Sequence, residues 1–321
     1  MAGRINITGG AYKDAELPYN KNELNIGGKI SAAGEIYDIS LITHAGAEYL
    51  KFDDEANSIV SSGIKGNMLL WNNMGFQLGA NIYVFKMQDD NTEIRFYPNA
   101  SFDWALTRSS FIKISFKPSV ARHSHSDLYD RNGLVLPVPV LFEDKKRDID
   151  GEIGWRFKPG SLISAGIFYI DSDQSLIFSR KGNFFDVVKN ESVKMTGFRI
   201  KGKYDRDGKW GFDGEFLVRN TSWNVPYLPA VQTDIHGYMT PYKKWLFRGA
   251  VHFFGEHYLE IDSDDTDDSF FTIDFGVERE LLSFLSVYID IRNITDSDGT
   301  WWTSQYRIPG IGLYAGLKSR F

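Results

Sequence analysis

The chain has 321 residues, of which 42% are hydrophobic, with no cysteine and a formal net charge of −6. The lack of cysteine excludes disulfide frameworks, cysteine nucleophiles and thiolate metal sites, and the negative charge argues against a nucleic-acid partner held through its phosphates. The chain is too hydrophobic to be disordered, and no run approaches the roughly 18 apolar residues of a membrane helix.

The predicted elements, taken in chain order, are β-strands of about ten residues, in which polar and apolar side chains alternate. The first thirty residues and segment 35–71 alternate weakly. The clearest alternation lies in 93–104, 149–157, 198–204 and 287–292. In segment 93–104, one face carries Ile94, Phe96 and Trp104, while the other carries acidic, basic and amide side chains.

Short and long connections alternate along the chain between these strands. The short ones, predicted as tight hairpins, are 33–34, 72–75, 107–109, 158–161, 205–208, 242–245 and 282–284. The longer ones are 13–22, 122–148, 172–193, 220–233, 257–269 and 294–310, with two smaller ones near 53–57 and 87–92. Such a plan is typical of a bacterial outer-membrane barrel, with short periplasmic turns and long extracellular loops. The apolar segment 134–142, with its prolines, is expected to pack against neighbouring loops or to narrow the lumen.

Counting these connections predicts an all-β fold, a transmembrane antiparallel β-barrel of about 16 strands, with 14 or 18 as alternatives. It is expected to form one domain over residues 1–321. A soluble β-sandwich or propeller also shows alternation. Aromatic residues near strand ends favour the membrane barrel, because aromatic girdles lie at lipid boundaries. These residues are Trp71, Phe76, Trp104, Phe157, Trp210, Phe247 and Phe321.

The last strand, 313–321, resembles the C-terminal insertion signal of bacterial outer-membrane barrels. It ends on Phe321, and Leu313 and Leu317 alternate with other residues before it. The resemblance implies that the barrel-assembly machinery is a partner during insertion. Ser319 departs from the pattern, since a larger apolar or aromatic residue is usual there.

Several stretches resemble the barrel of the TonB-dependent outer-membrane receptor family. Asp290-Ile291-Arg292-Asn293-Ile294-Thr295-Asp296, followed by Tyr306-Arg307-Ile308-Pro309-Gly310, is similar to that family's penultimate strand, its turn and its entry to the last strand. Val225 to Pro229, Asn190 to Ile200 and Glu152 to Arg156 resemble further parts of the barrel. The similarity runs from about residue 93 to the end.

Members of that family carry an N-terminal plug with an energy-coupling box and a barrel of about 22 strands. This chain is too short for both, so we expect no plug domain. The resemblance then leaves two interpretations: the C-terminal part of such a barrel closed on itself, or a fragment.

Two groups of residues are weak candidates for a metal site. His123 and His125 have a His-x-His spacing with Asp127 nearby, and Asp264 and Asp267 lie in a run of aspartates that suits calcium. The alternatives are a polar loop start and a solvated loop tip. We therefore predict no resident metal and no cofactor. No serine, histidine and acid have a diagnostic spacing, so we predict no enzyme activity.

The polar faces of the predicted strands supply candidate lumen residues. Both charge signs occur in similar number, which predicts cross-strand ion pairs and a wet interior. The candidates are Arg95, Asp103, Lys113, Glu152, Arg156, Arg199, Lys201, Lys203, Asp213, Glu215, Arg248, Asp290 and Arg292.

Three hypotheses for function follow. The first is an outer-membrane channel for small polar solutes, passive or gated by a periplasmic or plug-like partner, in contact with lipid and lipopolysaccharide. The second is the barrel portion of an energy-coupled receptor whose plug lies outside this chain. The third is a structural or assembly protein of the envelope with an obstructed lumen.

If the barrel prediction holds, the protein should fold only in detergent or lipid and should migrate differently on gels before and after heating. In water its apolar face would be a continuous exposed band. Size-exclusion chromatography with and without detergent, together with gel migration, measures this. A monodisperse protein in buffer alone would contradict the barrel.

Overall fold

The computed structural model describes residues 2–13, 22–36, 39–52, 55–71, 73–86, 92–123, 128, 135–136, 141–181, 184–261, 264–299 and 308–319. The predicted elements are present, since nearly all of these residues lie in β-strands. Among them, no helix has the length and apolar character that crossing a membrane requires.

The strands follow one another with short turns or longer connections between them. They are β1 (Ala2–Lys13), β2 (Asn22–Ile36), β3 (Ile39–Phe52), β4 (Glu55–Leu70), β5 (Met74–Lys86), β6 (Thr92–Ala105), β7 (Ser110–Phe116), β8 (Ser119–His123), β9 (Leu141–Lys158), β10 (Ser161–Lys181), β11 (Phe184–Arg206), β12 (Trp210–Thr221), β13 (Val231–Met239), β14 (Trp245–Phe254), β15 (His257–Tyr258), β16 (Thr266–Asp267), β17 (Phe270–Leu282), β18 (Leu285–Arg292) and β19 (Gly312–Ser319).

The pairing follows chain order and is antiparallel. β7 and β8 occupy one strand position, because both pair with β9. β15 and β16 form a separate two-stranded ribbon. The remaining segments make sixteen strand positions in the part of the chain that the structure describes, so the predicted count is confirmed.

Most of the predicted hairpins are confirmed, and their turns have clear local causes. In the turn between β11 and β12, Asp205 accepts a hydrogen bond from the Gly208 backbone amide at 2.9 Å. Gly208 has a φ of 70°, and Gly160, between β9 and β10, has a φ of 76°. Only glycine adopts this left-handed conformation without strain.

Three predicted connections are wrong. Residues 33–34 lie inside β2, where Ala33 pairs with Ile42 of β3. Residues 141–148 belong to β9, and most of 172–193 belongs to β10 and β11. The polar sequence there indicated a loop, but a hairpin satisfies its own backbone hydrogen bonds and can continue wherever its neighbour does.

The chain divides into two compact units. Unit 1 comprises Met1–Leu106, Ile112–Gly151 and Phe168–Lys194, and unit 2 comprises Thr107–Phe111, Glu152–Ile167 and Met195–Phe321.

Unit 1 has an exposed apolar face and an opposite face that is partly filled. On β6, Ile94 and Phe96 are 65% and 62% exposed, whereas Tyr97 is buried. The buried face holds one cluster: Leu50, Ile59, Phe85, Tyr97, Val120 and Phe142. Segment 35–71 alternates weakly for this reason, because buried Ile59 is followed by exposed Val60, and both are apolar.

The apolar segment 134–142 is described only at residues 135–136 and 141–142. Leu128 and Val135 are buried together against Leu176, Phe178 and Val187. The Leu136 amide donates a hydrogen bond to the Phe185 carbonyl at 2.6 Å. Within unit 1, therefore, the described part of this connection packs against the ends of strands β10 and β11, where a loop was expected.

In unit 2, apolar and charged side chains separate cleanly onto opposite faces. The apolar face exposes Phe212, Ile235 and Ile289. Aromatic residues lie beside the short turns, as expected, with ring centroids of Tyr204 and Trp210 4.7 Å apart. The charged face begins with Lys201 and Lys203 of β11 and continues on every following long strand.

If the apolar face contacts lipid, Ile200→Arg and Ile289→Arg should each lower the free energy of unfolding by about 2–4 kcal/mol near the bilayer midplane. The neighbouring changes Lys201→Gln and Asp290→Asn lie on the charged face and should have smaller effects on stability. Urea unfolding in lipid vesicles measures all four. The opposite ranking would mean that the two faces are exchanged.

Candidate functional site

The charged face of unit 2 is built from the two-residue period of its strands. Successive side chains point to opposite faces, so every second residue of β11 to β14 and of β17 to β19 shares one face. The register then places Lys203 opposite Asp213, and Asp213 opposite His236. Rows of side chains from different strands therefore lie next to one another.

One row joins Lys201, Glu215, Asp234 and His252, which are cross-strand partners in turn. The Lys201 Nζ lies 3.6 Å from Glu215 Oε1, and the His252 Nδ1 lies 2.8 Å from Asp234 Oδ1. The His236 ring packs against His252 with centroids 5.2 Å apart. The row thus has a basic group at each end and two acidic groups between them.

A second network centres on Arg248 of β14. Its guanidinium donates to Asp290 Oδ1 at 3.0 Å and lies 3.8 Å from Glu278 Oε2, which is also 3.8 Å from Lys318 Nζ. Gly276 leaves room for this network, because a Cβ there would overlap Asp290 Oδ1.

Between these rows lies an open recess of about 350 Å³. Its charged lining includes Asp213, Arg248, Asp274 and Arg292. The Arg292 guanidinium lies over the Tyr314 ring, 4.9 Å from its centroid. The recess therefore combines charged side chains of both signs with apolar groups such as Phe275 and Ile291.

Three other predicted lumen residues lie in unit 2. The Arg156 guanidinium covers the Phe111 ring, 4.4 Å from its centroid, and Gly154 leaves the space for that ring. Glu152 shares the face of Arg156, four residues along β9. Arg199 shares the face of Lys201 on β11.

The remaining predicted lumen residues, Arg95, Asp103 and Lys113, lie in unit 1. The Lys113 Nζ is 3.8 Å from Asp103 Oδ1, and both side chains are well exposed. Arg95 instead donates to buried Asp144 at 2.9 Å. The Tyr97 hydroxyl donates to the other oxygen of the same carboxylate.

Sequence reasoning missed Asp144 and Tyr97. Asp144 lies in a stretch that was predicted to be a connection, so its place on the face of β9 could not be assigned. Continuing the alternation of 149–157 backward by six residues would have placed it there.

Asn293, which carries part of the family resemblance, holds the connection after β18. It is buried, its amide nitrogen donates to the carbonyls of Ser297 and Pro309, and its backbone amide donates to Asp274 Oδ1. The motif thus ties a long connection to the charged face.

The predicted metal candidates do not form one site. His123 Nε2 lies 3.3 Å from Glu143 Oε2, whereas His125 falls outside the described residues. Asp264 is exposed, and Asp267 lies in β16. No group of three histidine or acidic side chains among the described residues is arranged to hold a metal ion.

The residues of the predicted insertion signal are described in part. Leu313 and Leu317 are 71% and 70% exposed on the apolar face of β19, while Phe321 lies outside the described residues.

Comparison with solved structures decides the fold. The pyoverdine outer membrane receptor FpvA from Pseudomonas aeruginosa PAO1 matches with a TM-score of 0.68 at 9% identity, over 99% of this chain and 58% of that receptor. The copper transporter OprC matches with a TM-score of 0.68 at 10% identity, over 96% of this chain and 59% of its own. The siderophore receptor PirA from Acinetobacter baumannii gives 0.67 and 12%, over 94% and 55%.

This chain has the fold of a TonB-dependent receptor barrel. The predicted fold class is therefore confirmed. The chain spans little more than half of the length of these receptors. No family model matches the sequence, and no curated protein matches it either.

In this receptor-like barrel, Asp144→Ala should lower the free energy of unfolding by about 2–3 kcal/mol, because it removes the acceptor of Tyr97 and Arg95 together. The exposed pair provides a control, since Asp103→Ala should cost less than about 1 kcal/mol. Urea unfolding followed by tryptophan fluorescence compares them. Equal losses of unfolding free energy in the two variants would show that the buried position of Asp144 contributes nothing to stability.

Proposed function

We propose that this protein is a single-domain barrel of the bacterial outer membrane, without a resident cofactor and without enzyme activity, that carries small polar solutes through a water-filled lumen. The charged face of unit 2 is the proposed lumen wall, and the apolar face contacts lipid and lipopolysaccharide. Selection in such a wall rests on size and charge.

The observation that carries this proposal is the separation of the two faces in unit 2. Phe212, Ile235 and Ile289 are exposed on one side, and the network of Arg248, Glu278 and Asp290 lies on the other. A soluble sheet hides its apolar face, whereas a membrane barrel turns it outward and keeps polar groups inside.

Strand lengths support the same orientation. A transmembrane strand needs about 9–11 residues, whereas β10 and β11 have 21 and 23. β10 begins and β11 ends at a short turn. The residues in excess of a membrane span therefore lie at the opposite end of this pair of strands. We place that end outside the cell, as the long loops of outer-membrane barrels are.

A second candidate is the barrel portion of an energy-coupled receptor. It is favoured by the match to receptors such as PirA and FpvA, of which this chain spans little more than half. A plug-like or periplasmic partner would then gate the lumen. The sequence of the full-length gene tests this candidate. A plug domain with a coupling box in that gene would favour the energy-coupled receptor over the passive channel.

A third candidate is a structural envelope protein with an obstructed lumen. It is favoured by the filled face of unit 1, where Phe85 and Phe142 pack with ring centroids 4.9 Å apart. This candidate predicts no ion conductance.

Single-channel recording in planar bilayers tests the proposal. The wild-type protein should conduct, and Arg248→Gln should shift selectivity toward cations, because Asp290 and Glu278 lose their positive partner. The adjacent change Phe247→Leu lies on the opposite face and should leave conductance and selectivity unchanged.

Absence of current from the folded wild-type protein would reject the channel and favour the obstructed barrel. Equal effects of the changes at 247 and 248 would show that the charged face does not line the conducting path.

A further inference from the structure

The connection between β14 and β17, residues 255–269, is strongly acidic. It contains five aspartates, two glutamates and one histidine, and no lysine or arginine. Its described part forms the ribbon of β15 and β16, in which His257 is the cross-strand partner of Asp267. This arrangement brings the only imidazole of the connection beside one of its carboxylates.

His257 is almost completely buried, with 5% of its surface exposed. Its Nδ1 lies 3.3 Å from the Gly255 carbonyl oxygen, which can only accept a hydrogen bond. In the neutral ring, Nδ1 therefore carries the proton, and Nε2 presents a lone pair. That Nε2 is buried and has no hydrogen-bond partner among the described residues.

Asp267 presents a second acceptor of the same kind. Its Oδ2 is buried and, within the part of the chain that the structure describes, also has no hydrogen-bond partner. Directly opposed residues of an antiparallel pair have Cβ atoms about 4.5–5.5 Å apart, so the two side chains start from neighbouring positions. Two buried acceptors without a donor are unfavourable, because each has lost its water. A cation between them satisfies both.

Some of the other groups around the ribbon already have partners. Glu256 accepts a hydrogen bond from the Thr266 hydroxyl at 2.6 Å. The Tyr227 amide donates to the Tyr258 carbonyl at 2.9 Å, and the Tyr227 ring lies 6.4 Å from the His257 ring. The ribbon therefore contacts the connection between β12 and β13, so a cation here would hold both connections.

We infer that His257 Nε2 and Asp267 Oδ2 are the two protein ligands of a divalent transition-metal site, of the class that includes Zn²⁺. Imidazole nitrogen with carboxylate oxygen suits such ions, whereas calcium takes oxygen ligands alone. Water completes the coordination, since no third histidine or acidic ligand is arranged for it among the described residues. The surrounding carboxylates attract the cation. This site is independent of the proposed transport.

Binding of Zn²⁺ and Co²⁺ to the detergent-solubilised protein tests the inference. Calorimetry should find Zn²⁺ binding that weakens about tenfold or more in His257→Gln and in Asp267→Asn, as removal of metal-site groups commonly does. The Co²⁺ complex should show visible absorption bands that His257→Gln alters. Gel heat-modifiability checks that each variant is folded.

Two matched controls separate this site from general attraction. Asp264→Asn removes an exposed charge from the same connection, and His44→Gln removes an imidazole from β3. Both should bind Zn²⁺ nearly as the wild type does. If Asp264→Asn weakens binding as much as Asp267→Asn, or if His257→Gln has no effect, the acidic connection attracts ions without a site and the inference fails.

A measurement on the wild type alone covers the case in which a variant does not fold. Zn²⁺ should slow cleavage after Glu256 and Glu260 by a glutamate-specific protease, because the cation pins the ribbon. Unchanged cleavage, or no Zn²⁺ binding by the wild type, would overturn the inference. Neither measurement depends on conductance, so the transport proposal stands or fails separately.

Discussion

The structure depends on one constraint of extended backbone: successive side chains of a strand point to opposite faces. Each strand therefore serves two environments at once, and its backbone groups must bond to neighbouring strands. Where the environments differ sharply, as around Asp290 and Ile289, the sequence has to alternate. In lipid the constraint is stricter, because no water is available to satisfy an unpaired backbone group.

The register between strands determines which of these alternating side chains become neighbours. The pairing of β11 to β14 sets Lys201 opposite Glu215 and Asp234 opposite His252, so these four groups form two pairs of opposite type. A shift by one residue would bring the phenylalanines of β12 to the charged face. The same register also places the recess beside Arg248 on the charged face.

The two units share the same strand geometry but differ in the side chains on the face opposite the apolar one. In unit 2 the face opposite the apolar one is charged and carries the open recess, which suits the proposed channel. In unit 1 it carries Phe85, Tyr97 and Phe142, and the buried Asp144 is compensated by Arg95 and the Tyr97 hydroxyl. Aromatic packing and a satisfied buried carboxylate stabilise a wall but leave less space beside it. The balance between these two kinds of face separates a channel from an obstructed barrel.

The sequence by itself determined the fold class, the strand count, most of the turns, and the face on which residues such as Lys201 and Ile289 lie. These properties depend on local period and turn chemistry, which neighbouring residues carry. Only the tertiary structure decided the extension of β10 and β11, the burial of Asp144 and the pairing of His257 with Asp267. Each of these depends on pairing or packing with another segment, which the local period does not encode. Where both faces are apolar, as around Ile59, the local pattern also loses its contrast.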